Sequence, residues 1–190
     1  GVVKVSEEYG RKPALMYVDK VNGIVADVAK NRKPFEKLYP MFPQRMIPME
    51  TERENKVGRI LDIVSPIGRG QRGLIVAPPM AGKTLLMKSI AKSILTNAPD
   101  MELIVLLVDE RPEEVSDWQE WIGNRGKVLA SSFDVNIENH IRLSEIVLEM
   151  AKRKVEAGKH VCILLDSLTR LARAYNNYMP SSGKTLSGGI

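Results

Sequence analysis

The chain has 190 residues and a single cysteine, Cys162. That excludes an intrachain disulfide, and a lone thiol within an apolar run reads as a buried structural residue in a reducing compartment. Aromatic residues make up only 5% of the chain, so the core has to be aliphatic, as in many α/β sheets. No apolar run approaches the ~18 residues of a membrane-spanning helix, and no secretory leader pattern is present. No membrane span and no intrachain disulfide framework are therefore expected, and the reducing compartment suits a cytoplasmic protein.

Hydrophobic residues make up 44% of the sequence, enough for one compact domain plus an appendage. The formal charge is +5, with the positive excess confined to residues 1–95 and a net acidic second half. A basic half suits nucleic acid or polyphosphate, and equally an ordinary solvated surface. Residues 1–22 carry two short strand patterns, 2–5 and 14–18, around a polar turn. They resemble the tail of a preceding β domain, being too little for a domain alone. Residues 23–56 hold Pro34, Pro40, Pro43 and Pro48 and read as a linker or wrapping segment. From residue 57 the pattern becomes regular, opening with a short helix or strand over 59–64. The start at Gly1 and the stop at Ile190 read as an excerpt of a longer protein.

Residues 77–84 are Ala-Pro-Pro-Met-Ala-Gly-Lys-Thr, after the apolar Gly73-Leu74-Ile75-Val76 and before a helical pattern over 85–95. Strand, tight loop and helix in that order form the context of a phosphate-binding P-loop. A helix N-terminus leaves about four amides unpaired and favours negative charge. Pro79, Met80, Ala81, Gly82, Lys83, Thr84 and Leu85 are the candidate nucleotide-binding residues. Lys83 would reach the β/γ-phosphates of ATP, and the Thr84 hydroxyl would ligate Mg²⁺. Ala77 stands where the pattern opens with Gly, so the motif alone would also fit a helix-capping turn with a solvated lysine.

Two further runs strengthen the nucleotide reading. Leu103-Ile104-Val105-Leu106-Leu107-Val108 ends in Asp109-Glu110-Arg111, and Val161-Cys162-Ile163-Leu164-Leu165 ends in Asp166-Ser167. Continuous apolar runs ending in carboxylates fit parallel strands buried on both faces, with ligands bound beyond their carboxyl ends. One of Asp109 and Glu110 would face the nucleotide, because strand side chains alternate, and would orient or deprotonate the attacking water. Asp166 would hold Mg²⁺ through water. Either acid would also serve as a helix N-cap.

The remaining pattern gives a helix from Pro112 to Trp121 or Ile122, a strand over 127–131, a helix over 137–157 ended by Gly158, and a helix over 168–178. Trp118 and Trp121 share a helix face and read as packing residues, with base stacking as the lesser alternative. His140 reads as a polar residue of the helix start, since no second metal ligand stands at helical spacing. The glycine-rich loop after Pro180 holds one cation, Lys184, flanked by Gly183 and Thr185. It reads as a mobile loop or as a contact to a phosphate backbone.

Taken together, the stretches at 65–84, 108–115 and 163–176, with the loop around Lys184, resemble the Rho family of bacterial transcription termination factors. Asp-Glu-Arg-Pro-Glu-Glu-Val is the specific part, separating the chain from related rotary and secretion ATPases. The resemblance implies a RecA-like P-loop ATPase domain at 57–190, α/β, with a largely parallel central sheet flanked by helices. Residues 1–22 become the end of an OB-type RNA-binding domain. It further implies a homohexamer that binds single-stranded RNA, translocates 5′→3′ and acts on RNA polymerase. Lys83 and Thr84 fall in Walker A and Asp166 in Walker B. Glu110 becomes the residue that activates water, Arg111 lies near the γ-phosphate, and Gly183, Lys184 and Thr185 grip RNA.

Met80 stands where the family often has a lysine, and residues 119–127 depart from its pattern. The segment ends before the second RNA loop, the arginine finger and the adenine-stacking aromatic, so by itself it is expected to bind nucleotide weakly and not to work as a motor. The competing readings are a rotary or secretion-type ATPase subunit, whose turnover ignores RNA, and a nucleotide-sensing RNA-binding or assembly module without turnover.

Overall fold

The computed structural model describes residues 3–6, 14–21 and 24–179. Two small antiparallel ladders come first: β1 (Val3–Ser6) with β2 (Ala14–Val18), and β3 (Lys20–Val21) with β4 (Ile24–Val25). A short helix α1 (Ala26–Lys30) and a 3-10 turn (Phe35–Lys37) lead into an extended stretch that wraps onto the body of the molecule. Ile47 and Met49 are buried in the main core cluster. Asp62, in α2 (Lys56–Val64), accepts from the amides of Met49 at 2.8 Å and Glu50 at 2.9 Å. The Asn55 side chain caps α2 by accepting from the Gly58 amide at 2.9 Å, satisfying one donor that the helix start leaves open. Gly58 packs so closely on the Met49 carbonyl that a Cβ there would lie 2.2 Å from its oxygen. The choice left open over 59–64 thus resolves to a helix.

The P-loop helix α3 (Lys83–Asn97) precedes an alternating series. It runs β5 (Met101–Glu110), α4 (Pro112–Ile122), β6 (Lys127–Ser132), α5 (Ile137–Glu156), β7 (His160–Asp166) and α6 (Leu168–Tyr178). The three strands form a parallel sheet in the order β6-β5-β7. Helices cover both faces, which is why the β5 run has no polar alternation. Leu103, Val105 and Leu107 pack with α3 and α4 residues such as Ile90, Ile94 and Trp118. Ile104, Leu106 and Val108 pack with Val147 and Leu143 of α5 and Leu171 of α6. This is the α/β architecture expected, with helix bounds close to those read from the sequence.

The strand expected at residues 73–76 does not form. Leu74 and Val76 are exposed, and no strand pairs with them among the described residues. A lone extended segment gains neither ladder hydrogen bonds nor burial, so apolar composition alone does not make it a strand. His140 lies in the first turn of α5, as expected of a residue at the helix start, but its burial was not foreseen. It is buried, and the Ser131 hydroxyl at the end of β6 hydrogen-bonds its Nδ1, so it ties α5 to the sheet. Trp118 and Trp121 do pack, edge to face with centroids 5.7 Å apart, and the Lys88 ammonium lies over both rings. Among the described residues no helix is long and apolar enough to cross a membrane.

Candidate nucleotide site

Gly82 takes a left-handed conformation, φ 88°, immediately before the first residue of α3. Glycine adopts that geometry without a Cβ penalty, so the loop can turn sharply and leave the helix amides open. Met80 also has positive φ, 61°. Pro79, Met80, Ala81 and Leu85 are exposed, while Gly82, Lys83 and Thr84 are half-buried.

The carboxyl ends of β5 and β7 lie beside this helix start. Asp166, the last residue of β7, is 3% exposed and receives the Lys83 ammonium in an ion pair. Glu110, the last residue of β5, is also 3% exposed. Asp109 is not: its side chain is one-third exposed. Of the two adjacent acids, Glu110 is therefore the one buried at the site. Burial above all, then a hydrogen bond with Glu114 and the negative charge of Asp166, push the Glu110 carboxyl up to about 7, against the opposing pull of Arg170. A carboxyl so placed is poised for proton transfer near neutrality. Cys162 sits in the core cluster behind the site, where burial raises its thiol to about 11, an inert structural thiol.

Sequence reasoning gave Arg170 no role, yet it ties α6 to the carboxyl end of β5. From the first turn of α6 its guanidinium donates to the Asp109 carbonyl and lies 3.4 Å from the Glu110 carboxylate and 3.7 Å from that of Asp109. The available signal was its place one helical turn after Asp166, since two buried acids need a cation. Arg111 is exposed, just before α4, in a cleft of about 610 Å³ lined also by Pro112, Glu113, Phe133 and Arg170. Gly183, Lys184 and Thr185 lie outside the described residues.

The donor set fits Mg²⁺. Thr84 and Asp166 offer hard oxygens, and the buried Asp166 carboxylate already holds a cation, the Lys83 ammonium. Among the described residues no cluster of three His, Cys, Asp or Glu side chains could cage an ion. Mg²⁺ commonly takes only one or two protein ligands beside phosphate and water.

Residues 58–187 match the nucleotide-binding domain of the ATP synthase alpha/beta family. The chain belongs to that family. Within it, the resemblance to Rho holds along the whole chain. Transcription termination factor Rho of Bacillus subtilis (strain 168) is 53% identical over 190 residues, all of this chain and 44% of the relative. Rho of Haemophilus influenzae is 51% identical, again over all of this chain and 46% of the relative. The chain thus spans a little under half the length of these relatives. An ATPase from the type III secretion system of pathogenic bacteria aligns with TM-score 0.65 and 21% identity, covering 97% of this chain and 48% of the other. The ATP synthase subunit NeqB from Nanoarcheaum equitans aligns with TM-score 0.61 and 18% identity, covering 82% and 38%. These two show the shared RecA-like fold; the identity to Rho is far higher.

Proposed function

We propose that the chain is the nucleotide-hydrolysing portion of a Rho-type transcription termination factor, an RNA-dependent ATPase that moves 5′→3′ on single-stranded RNA as a homohexamer. The observation that carries this reading is the buried Glu110 beside the Lys83–Asp166 pair, at the strand ends next to the P-loop helix. The polyphosphate of ATP settles at the N-terminus of α3, and Lys83 exchanges Asp166 for the β/γ-phosphates. Thr84 and Asp166 would hold Mg²⁺, which would supply charge neutralisation at the phosphate oxygens. Glu110 takes a proton from the water that attacks the γ-phosphorus as the bond to the β-phosphate oxygen breaks and ADP leaves, and Arg170 restrains the Glu110 carboxylate. On this reading Arg111 lies near the γ-phosphate.

On the same reading, residues 1–22 end an OB-type RNA-binding domain, 23–56 connect and wrap, and 57–190 are the ATPase domain. Gly183, Lys184 and Thr185 grip RNA, RNA polymerase is the complex acted on, and the bacterial cytoplasm is the compartment. The rotary or secretion-type alternative is not favoured, given its much lower sequence identity. The test is ATP hydrolysis by the full-length protein with and without pyrimidine-rich single-stranded RNA. Strong RNA stimulation is expected; turnover indifferent to RNA would contradict it.

A further inference from the structure

β5 and β6 run in register from Ile104↔Lys127 to Val108↔Ser131, and then the pairing skips to Glu110↔Ser132. Asp109 is the extra residue, and its φ is +59°. Such a bulge turns the next side chain to the opposite face. The faces here are defined by packing. Leu103, Val105 and Leu107 lie on the α3 side, and Leu107 pairs with Asp166. Ile104, Leu106 and Val108 lie on the α5 side. Unbroken alternation would put Asp109 on the α3 side, toward Lys83, and send Glu110 to the α5 side. The skipped register reverses this, and Glu110 shares its side with Asp166.

We propose that Asp109 is a positioning residue whose left-handed bulge, held by the Arg170 hydrogen bond to its carbonyl, delivers Glu110 instead of Asp109 to the phosphate site. This rests on the reading of Glu110 as the group that activates water. What the position requires is the left-handed conformation, which Gly adopts freely, Asp and Asn tolerate, and Ala and Val resist. The carboxylate itself is dispensable.

The test uses the full-length protein with RNA and measures kcat, KM and ATP affinity for Asp109→Gly, Asp109→Asn, Asp109→Ala and Asp109→Val, with Glu110→Gln alongside. Gly and Asn are expected to keep kcat within about threefold of the parent. Ala should lose roughly tenfold, the cost of a left-handed non-glycine residue, and Val more, all with ATP affinity preserved. The Gly–Ala comparison stands even where Val fails to fold. An equal loss in all four would overturn the inference by making the carboxylate the essential part. Full activity in all four would overturn it by making the bulge irrelevant. A fully active Glu110→Gln would instead overturn the reading of Glu110 beneath it.

Discussion

The ammonium of Lys83 is held by the buried carboxylate of Asp166, across the gap between the start of α3 and the end of β7. On the proposed function, Lys83 is thus stored on the residue assigned to the metal, and nucleotide would have to compete for it. Asp166→Asn removes both that competitor and a negative charge facing the polyphosphate. In the absence of divalent metal, ATP affinity by calorimetry should hold or improve. With Mg²⁺ present, turnover should fall by about 10–100-fold, the usual cost of losing a metal-holding partner. A loss of metal-free affinity would contradict this arrangement.

Glu110 carries a pH signature. Its carboxyl titrates near 7 in the folded protein against 4.5 ordinarily, so the native state binds the proton more tightly than the unfolded one. The burial penalty is absent below about pH 4.5, grows as pH rises, and is complete above about pH 7. Glu110→Gln removes it. The variant's melting temperature should exceed the parent's at pH 8, and the difference should shrink toward pH 5. A difference independent of pH would contradict the burial argument.

Much of this was legible in the sequence, and the exceptions have physical causes. The apolar runs ending at Glu110 and Asp166 marked parallel strands and their carboxylates, because a strand buried on both faces has no alternation to obscure it. The helix after Asp166 begins and ends where its pattern says, capped by Ser167, whose side chain accepts from the Arg170 amide. The bulge was hidden, since two adjacent acids after an apolar run do not show that the first of them is an inserted residue. The role of Arg170 was hidden because its partners lie about 60 residues earlier, at the end of β5. The apolar residues 73–76 were read as a strand from composition, but a strand needs a neighbour that composition cannot show.

Met80 is fully exposed at the tip of the phosphate loop. Lysine is unbranched like methionine, so Met80→Lys adds a cation near the phosphates at little packing cost. A solvent-exposed pair of this kind contributes about 0.2–1 kcal/mol, so ATP should bind up to about fivefold tighter at low salt. The gain should fade as ionic strength rises. Unchanged or weaker binding at low salt would contradict the placement of residue 80 beside the phosphates.

Trp118 is fully buried between α4, α3 and the sheet, while Trp121 is half-buried at its edge. Trp118→Ala should cost about 3–5 kcal/mol of unfolding free energy. Trp121→Ala should cost distinctly less, losing partial burial and the Lys88 contact of about 0.5–1 kcal/mol. Urea titration of the two variants checks the order, and equal costs would contradict it.

The central claim is that Glu110 does the chemistry while the P-loop does the binding. The direct measurement is single-turnover ATP hydrolysis and ATP affinity of Glu110→Gln in the full-length protein saturated with RNA. The account predicts affinity within about threefold of the parent and hydrolysis slowed by about 10²–10⁴, the range for a lost general base. Hydrolysis at the parental rate would contradict it.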